Sequence, residues 1–287
     1  MYQAPKFGSG ELTLARSVIV PSRAHAATVG RFLGIDADTL RLAVVPHGRD
    51  LAFRPPEPAA LPSAPATANA PLRLAAWGHV HPLKGTDLLL AAVAEVGEGI
   101  ELHLAGGEPD AAFAERVRRM ATGLDVHFHG PFDAGMLDAH PIASAHVMVS
   151  ATRADESWGL VVDEAGHLRM PMVLPRSGAF PERLEDGRGV RLYAPRDERD
   201  LARVLRELRD DPARVASLRA ALPPAEEIAP PVREHVARVV EIYEAVRAEG
   251  PPDVPARDWW QTPMRIAVED AWDKSLSRAS AEELGFA

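Results

Sequence analysis

At 287 residues, with 46% hydrophobic and 25% charged side chains, the chain is a globular protein of about two domains and can build a sizeable core. A net charge of -9, with no run of Lys or Arg, argues against nucleic acid as a partner, because phosphate-backbone binding relies on clustered cations. There is no cysteine, so disulfides and thiolate metal sites are excluded. The opening MYQAPKFGSGELTLARS lacks a charged stretch followed by a long apolar one, and no apolar run approaches the ~20 residues of a membrane-spanning helix. A cytoplasmic protein with at most peripheral membrane contact is the expectation.

In chain order, SVIV (17–20) reads as a short buried strand. PSRAHAATVGRFLG follows as a helix, with Ser22 as N-cap and Gly34 as its end. LRLAVVP (40–46) is a second strand, closed by the turn HGRD. From Phe53 to Leu72 the Pro- and Ala-rich composition has no helical or strand period, which places a linker there and a domain boundary inside it. The expected division is a first segment 1–55, a linker 56–71, a domain 72–222 and C-terminal helices 223–287.

The domain is regular. Strands are predicted at 72–77, 100–106, 125–130, 145–150, 170–175 and 189–193, each followed by a helical pattern, with Thr86-Asp87 capping the first helix. DERDLARVLRELRDD and PARVASLRAAL read as amphipathic helices, PPVREHVARVVEIYEAVRAEG as a long one, and ARDWWQTPMRIAVEDAWDKSLSR as another weighted by Trp259, Trp260 and Trp272. Strand alternating with helix in short units predicts an α/β, Rossmann-like parallel sheet covered on both faces. Ligands of such sheets bind beyond the carboxyl ends of the strands. The loops falling there are Gly78–Gly85, Gly106-Gly107, His129–Pro131, Ser150–Glu156 and Arg176–Gly178, and together they form the candidate rim.

Three stretches of the rim carry chemistry. GHVHPLKGTD offers backbone amides and Lys84 just before a helix N-terminus, where a diphosphate would meet both a charge and the helix dipole; a solvated turn lysine is the plainer reading. In VHFHG, His127 and His129 share a strand face, and a metal would need His79 or His81 as a third ligand. Alternating His on a half-exposed strand needs no metal, and none is expected. In ESWGLVVDEAGH, Glu156 and Glu164 would stand about 80° apart if both were helical, which is not a facing pair. Gly159 instead places the helix start near Trp158, leaving Glu156 in the entry loop, where it and Glu164 could meet neighbouring parts of one ligand. Asp163 and Glu164 are equally favourable charges near a helix start, so spacing alone leaves both readings open.

Taken together, GHVHPLKGTDLLLAAVA, HLAGGEP, VHFHGPF, ESWGLVVDEAGHLRMP and SGAFPERLEDGRGVRLYAPRD resemble, in order and spacing, the C-terminal half of a group 1 (family 4) retaining glycosyltransferase of GT-B fold, over residues 72 to about 222. ARSVIVPSRAHAATVGRFLGIDADTLRLAVVPHGRDLAFRP is similar to the segment that closes that family's first domain, with His47 in place of an Asn. The tail after Pro230 is similar to the helices that cross back. The resemblance implies transfer of a sugar from a nucleotide-sugar donor, UDP- or GDP-linked, to an unspecified acceptor, without a metal or other cofactor. It implies that Glu164 bonds the ribose hydroxyls, Glu156 lies beside the donor sugar and Lys84 meets the diphosphate. Phe128, His129 and Gly130 would contact the base, and Gly159, Leu160, Ser177 and Gly178 would border the donor.

The sequence departs from the family's pattern in several places. His79 stands where the family has an Arg, so a phosphate contact there carries charge only when the ring is protonated, and diphosphate binding is expected to weaken and to gain pH dependence. Arg169 occupies the place of a helix-ending Gly, and Ala179 that of a second Gly after Gly178. Most of the first domain has no counterpart. The expectations are a fragment, or a nucleotide-sugar-binding subunit whose acceptor side is completed by a second chain or homodimer docking near Val18–Val20 and the Trp-rich tail. A remnant that binds nothing is the third reading. An NAD enzyme is disfavoured, since no G-x-G-x-x-G follows a strand.

Overall fold

The computed structural model describes residues 15–33, 41–51 and 70–250. The expected Trp-weighted helix and most of the Pro/Ala-rich stretch lie outside the described residues. Among these there are eight strands, β1 (Val18–Val20), β2 (Leu42–Val44), β3 (Leu72–Trp77), β4 (Ile100–Ala105), β5 (Val126–Phe128), β6 (Val147–Val149), β7 (Met172–Pro175) and β8 (Val190–Tyr193). The helices are α1 (Arg23–Leu33), α2 (Thr86–Val96), α3 (Ala111–Met120), α4 (Leu160–His167), α5 (Phe180–Arg183), α6 (Glu198–Asp210), α7 (Pro212–Ala220), α8 (Ala225–Ile228) and α9 (Val232–Ala248).

The described residues fall into two compact units, one holding 15–19, 28–33, 41–43 and 240–250, the other 20–27, 44–51 and 70–239. In the first, the carboxylate of Glu249 meets both Arg16 (2.9 Å) and Arg41 (3.1 Å). The second contains a six-stranded, all-parallel sheet in the order β5-β4-β3-β6-β7-β8. That order makes a doubly wound sheet, with its switch point between β3 and β6.

The strands read as near-continuous apolar runs because both faces are covered: β6 and β7 are buried at every position. On one face the core joins Leu74, Leu89, Leu102 and Val149 to Leu201, Val204, Leu205 and Leu208 of α6. On the other it joins Met148, Met172 and Leu174 to Val162, Phe180 and Ile228. The α6 positions recur at helical spacing, and the helix opens on Asp197, whose side chain accepts the Arg199 and Asp200 N–H groups. Full burial of each such Leu contributes roughly 1.5–3 kcal/mol.

Local starts and stops agree unevenly with expectation. Ser22 accepts the His25 N–H at 3.0 Å, as an N-cap should. Thr86-Asp87 do not cap α2. Gly85 is its N-cap, and Asp87 binds Arg116 and Arg153 (2.6 Å to the latter), because guanidinium partners outcompete a local amide for a carboxylate. Helix α4 begins at Leu160 rather than near Trp158, since Gly159 turns the chain through a left-handed conformation (φ 81°). The predicted helix near 134–140 is a 3₁₀ segment, Ala134–Ala139. Arg169 adopts the conformation its glycine-like position requires, at φ 54°, and its guanidinium donates to the carbonyls of Leu222 (3.2 Å) and Pro223. No helix among the described residues is long and apolar enough to cross a membrane.

Candidate functional site

A cleft lies at the carboxyl ends of β3 and β6, at the switch point of the sheet. Trp77, His79, Lys84, Ser150, Ala151 and Glu156 are among the residues on its walls. The predicted rim is therefore the wall of a real cavity on the β3 and β6 sides.

Lys84 ends a 3₁₀ turn (Pro82–Lys84) opened by His81, whose Nδ1 accepts the Leu83 N–H at 3.2 Å. Gly85 follows at φ 67°, and a Cβ there would stand 1.9 Å from the Ala151 carbonyl oxygen, so only glycine lets this turn press on the loop after β6. The result is a fixed lysine: its Nζ donates to Glu156 Oε1 at 2.7 Å. Thr152 Oγ1 stands 3.1 Å from the Leu83 carbonyl and 3.2 Å from Glu156 Oε1, joining both loops. Glu156 is further held by its backbone. Its carbonyl accepts the Ala179 N–H at 2.9 Å, and Gly178 (φ 56°) leaves only 2.6 Å between an added Cβ and the Glu156 backbone. Gly178 and Ala179 thus act on the site by gripping the Glu156 backbone, and Ser177 precedes them in the loop after β7.

The two adjacent acids of α4 have separate fates. Asp163 is fully buried and pairs with Arg183, while Trp158 Nε1 donates to its other oxygen at 3.3 Å. The Arg183 guanidinium also donates to the carbonyls of Trp158 (3.0 Å), Gly159 (3.0 Å) and Ile228 (2.7 Å) and stacks 3.9 Å from the Trp158 ring. Burial raises the Asp163 carboxyl and lowers the Arg183 guanidinium, each opposed by the charge of the other. This network fixes the turn that carries Glu156 into α4. The dipole reading of the two acids is therefore incomplete, because Asp163 serves a specific ion pair.

Glu164 points the other way and has both oxygens engaged. Trp77 Nε1 donates to Oε2 at 2.6 Å, and Arg49 Nη2 meets Oε1 at 2.7 Å. Arg49 also donates to the Leu160 carbonyl at 3.3 Å. Beside it, His47 packs edge-on against Trp158, and burial, then His235, lowers its pKa.

Of the remaining predicted residues, one lines the cleft: His79 is on its wall. Gly159 and Leu160 form the N-terminus of α4. Phe128, His129 and Gly130 end the edge strand β5, two strands from the switch point. There the His129 N–H donates to Leu104 (2.8 Å) and the Gly130 carbonyl accepts from Gly106 (2.7 Å). Sequence reasoning did not identify Arg49, Trp77, Thr152 or Arg183. Trp77, a polar-tipped aromatic at the end of a central strand, was findable by position; the others are joined to the site only by the fold.

Residues 71–211 match the family model described as glycosyl transferases group 1. A D-inositol 3-phosphate glycosyltransferase of Streptomyces avermitilis is 34% identical over 197 residues, covering 62% of this chain and 41% of that protein. A GDP-mannose-dependent alpha-(1-6)-phosphatidylinositol monomannoside mannosyltransferase of Mycolicibacterium smegmatis is 32% identical over 149 residues, 48% of this chain and 38% of that protein. The chain thus spans half or less of the curated relatives it matches. In fold it is similar to Anabaena HepE, solved with UDP and glucose, at a TM-score of 0.68 and 20% identity over 84% of this chain and 69% of that one. It is equally similar to sucrose-phosphate synthase from Thermosynechococcus elongatus, at a TM-score of 0.68 and 24% identity over 84% and 61%. The parallel sheet, its switch-point cleft and these matches agree: the domain built by residues 71–211 belongs to the group 1 glycosyltransferases and has the Rossmann-like fold of a GT-B half.

Proposed function

We propose that the cleft binds a nucleoside diphosphate sugar, UDP- or GDP-linked, and that the chain serves retaining sugar transfer to an acceptor. The observation that carries this reading is the Lys84–Glu156 pair, 2.7 Å apart in the switch-point cleft, with Glu164 one turn into the adjoining helix. In this pair each charge neutralises the other. A diphosphate would draw Lys84 away from Glu156 and hold it as its cation, leaving the Glu156 carboxylate beside the sugar. As the bond to the leaving diphosphate breaks, Lys84 and the amides opening α4 meet the charge that develops on it without reorganising, which is where electrostatic catalysis is most effective. Glu164, already a two-oxygen acceptor, would take the ribose diol. HepE, solved with UDP and glucose, supports the donor class.

The test is calorimetric titration of UDP, GDP and their sugars into the wild type, Glu164→Ala and the volume-preserving Glu164→Gln, with circular dichroism to confirm folding. One base is expected to bind, with a loss of at least tenfold in both variants. Undiminished affinity in both would overturn the assignment of Glu164.

A further inference from the structure

The structure also holds, on β4 and β5, a cluster whose members Glu101, His103 and His127 the donor reading leaves unused. On β4, Glu101 and His103 share a face. The parallel register sets His103 directly beside His127 of β5, their rings stacked 4.8 Å apart at 18°. Glu101 Oε1 stands 2.8 Å from His103 Nε2 and 3.8 Å from His127 Nε2, and one ligand atom from each residue lies within 4.8 Å of the others. Asp125 Oδ1 is 3.1 Å from the same His127 nitrogen. His103 is 8% exposed and His127 half-exposed, so the cluster has a buried floor and an open mouth.

We propose that Glu101, His103 and His127 bind a divalent transition metal of the zinc class. Two imidazoles and a carboxylate are a set such ions favour, and Asp125 or water would complete four-coordination. Bonds of about 2.0–2.2 Å in a tetrahedron set neighbouring ligand atoms roughly 3.4 Å apart, so on binding the 2.8 Å separation would open and the 3.8 Å one close. The further contact that favours a metal is behind the ring. His103 Nδ1 lies 2.9 Å from His129 Nε2. A ligating imidazole generally gives its other N–H to a fixed acceptor, and His129 stands where that acceptor is needed. With His103 Nε2–H donated to Glu101, the neutral ring accepts at Nδ1 from His129 Nε2–H; a metal on Nε2 would require the Nδ1–H tautomer of His103 and the Nδ1–H tautomer of His129, so that the bond between the rings reverses and His129 Nε2 accepts. The pattern differs from the one the sequence invites: the partners of His127 come from the neighbouring strand, not from His79 or His81. The ion would clip the edge strand β5 to β4 and does not depend on the donor reading.

Chelator-treated protein titrated calorimetrically with Zn²⁺, and optically with Co²⁺, tests this. One saturable equivalent is expected, with the intense visible bands of four-coordinate cobalt and a rise in melting temperature on zinc addition. His127→Ala, at a half-exposed position, and Glu101→Gln, of equal volume, should each weaken binding at least tenfold, while His25→Ala on α1 should not. Equal zinc affinity in the wild type and both cluster variants would overturn the proposal, as would a wild-type titration without a saturable step.

Discussion

Arg49→Ala should strengthen nucleotide binding. Arg49 and Trp77 engage both oxygens of Glu164, at 2.7 and 2.6 Å, so a ribose diol at that carboxylate would compete with Arg49 for the lone pairs of Oε1. A hydrogen bond to a charged group is worth about 1.5–3 kcal/mol net, and the Arg49 side chain is 24% exposed, which screens it toward about 1–2 kcal/mol. Removing that competitor converts to roughly 5–30-fold tighter binding at one factor of ten per ~1.4 kcal/mol. The variant should melt lower than the wild type, since Arg49 also ties the Leu160 carbonyl. Titrating UDP and GDP into the wild type and Arg49→Ala side by side measures the difference. Unchanged affinity would mean that the ion pair persists in the complex. Weaker affinity would mean that Arg49 itself meets the ligand. Either result refutes the competition.

Arg183→Met should destabilise the protein by about 3–5 kcal/mol, because it leaves the fully buried Asp163 without its cation, whereas Asp163→Leu/Arg183→Met together should cost less than either change alone; urea unfolding of the three variants decides it. His146 gives a pH dependence. Its Nδ1 accepts the Arg73 N–H at 2.9 Å, and burial, then Arg73 and Arg219, lower its pKa to about 4. The unfolded ring titrates near ~6.5, so between the two values the unfolded state binds more protons, and stability present above about pH 6.5 is lost as pH falls toward 4, by roughly 2–3 kcal/mol. Urea midpoints across that window should fall for the wild type and fall less for His146→Gln. Gly178→Ala should melt lower and weaken nucleotide binding, since its Cβ would stand 2.6 Å from the Glu156 backbone; wild-type behaviour would show that the grip on Glu156 is slack.

The fold was legible because its signals are local. Apolar runs separated by helical patterns specify a parallel sheet covered on both faces, and the same alternation locates the loops beyond the strand ends before any tertiary contact is known. Helix boundaries were less so where a carboxylate had a choice: Asp87 could cap α2 or bind two arginines, and only the fold brings Arg116 and Arg153 to it.

The site was legible on one side only. Lys84 and Glu156 each announce themselves within a few residues of a glycine turn, and Lys84 stands out further as one of three lysines in the chain. What Glu164 does is decided by residues distant in sequence: Trp77 is 87 positions away, and Arg49 belongs to the turn HGRD before the linker. That turn drew attention for His47, the departure from the family's pattern, yet it is Arg49 that reaches the carboxylate. The same reasoning applies to β4 and β5. His127 read alone seeks another histidine along the chain, while the sheet register supplies His103 and Glu101 from the adjacent strand. A charge near a helix start is ambiguous until its counter-charge is placed. Placing it separates Asp163, locked to Arg183 as structure, from Glu164, held by two contacts that a ligand can replace.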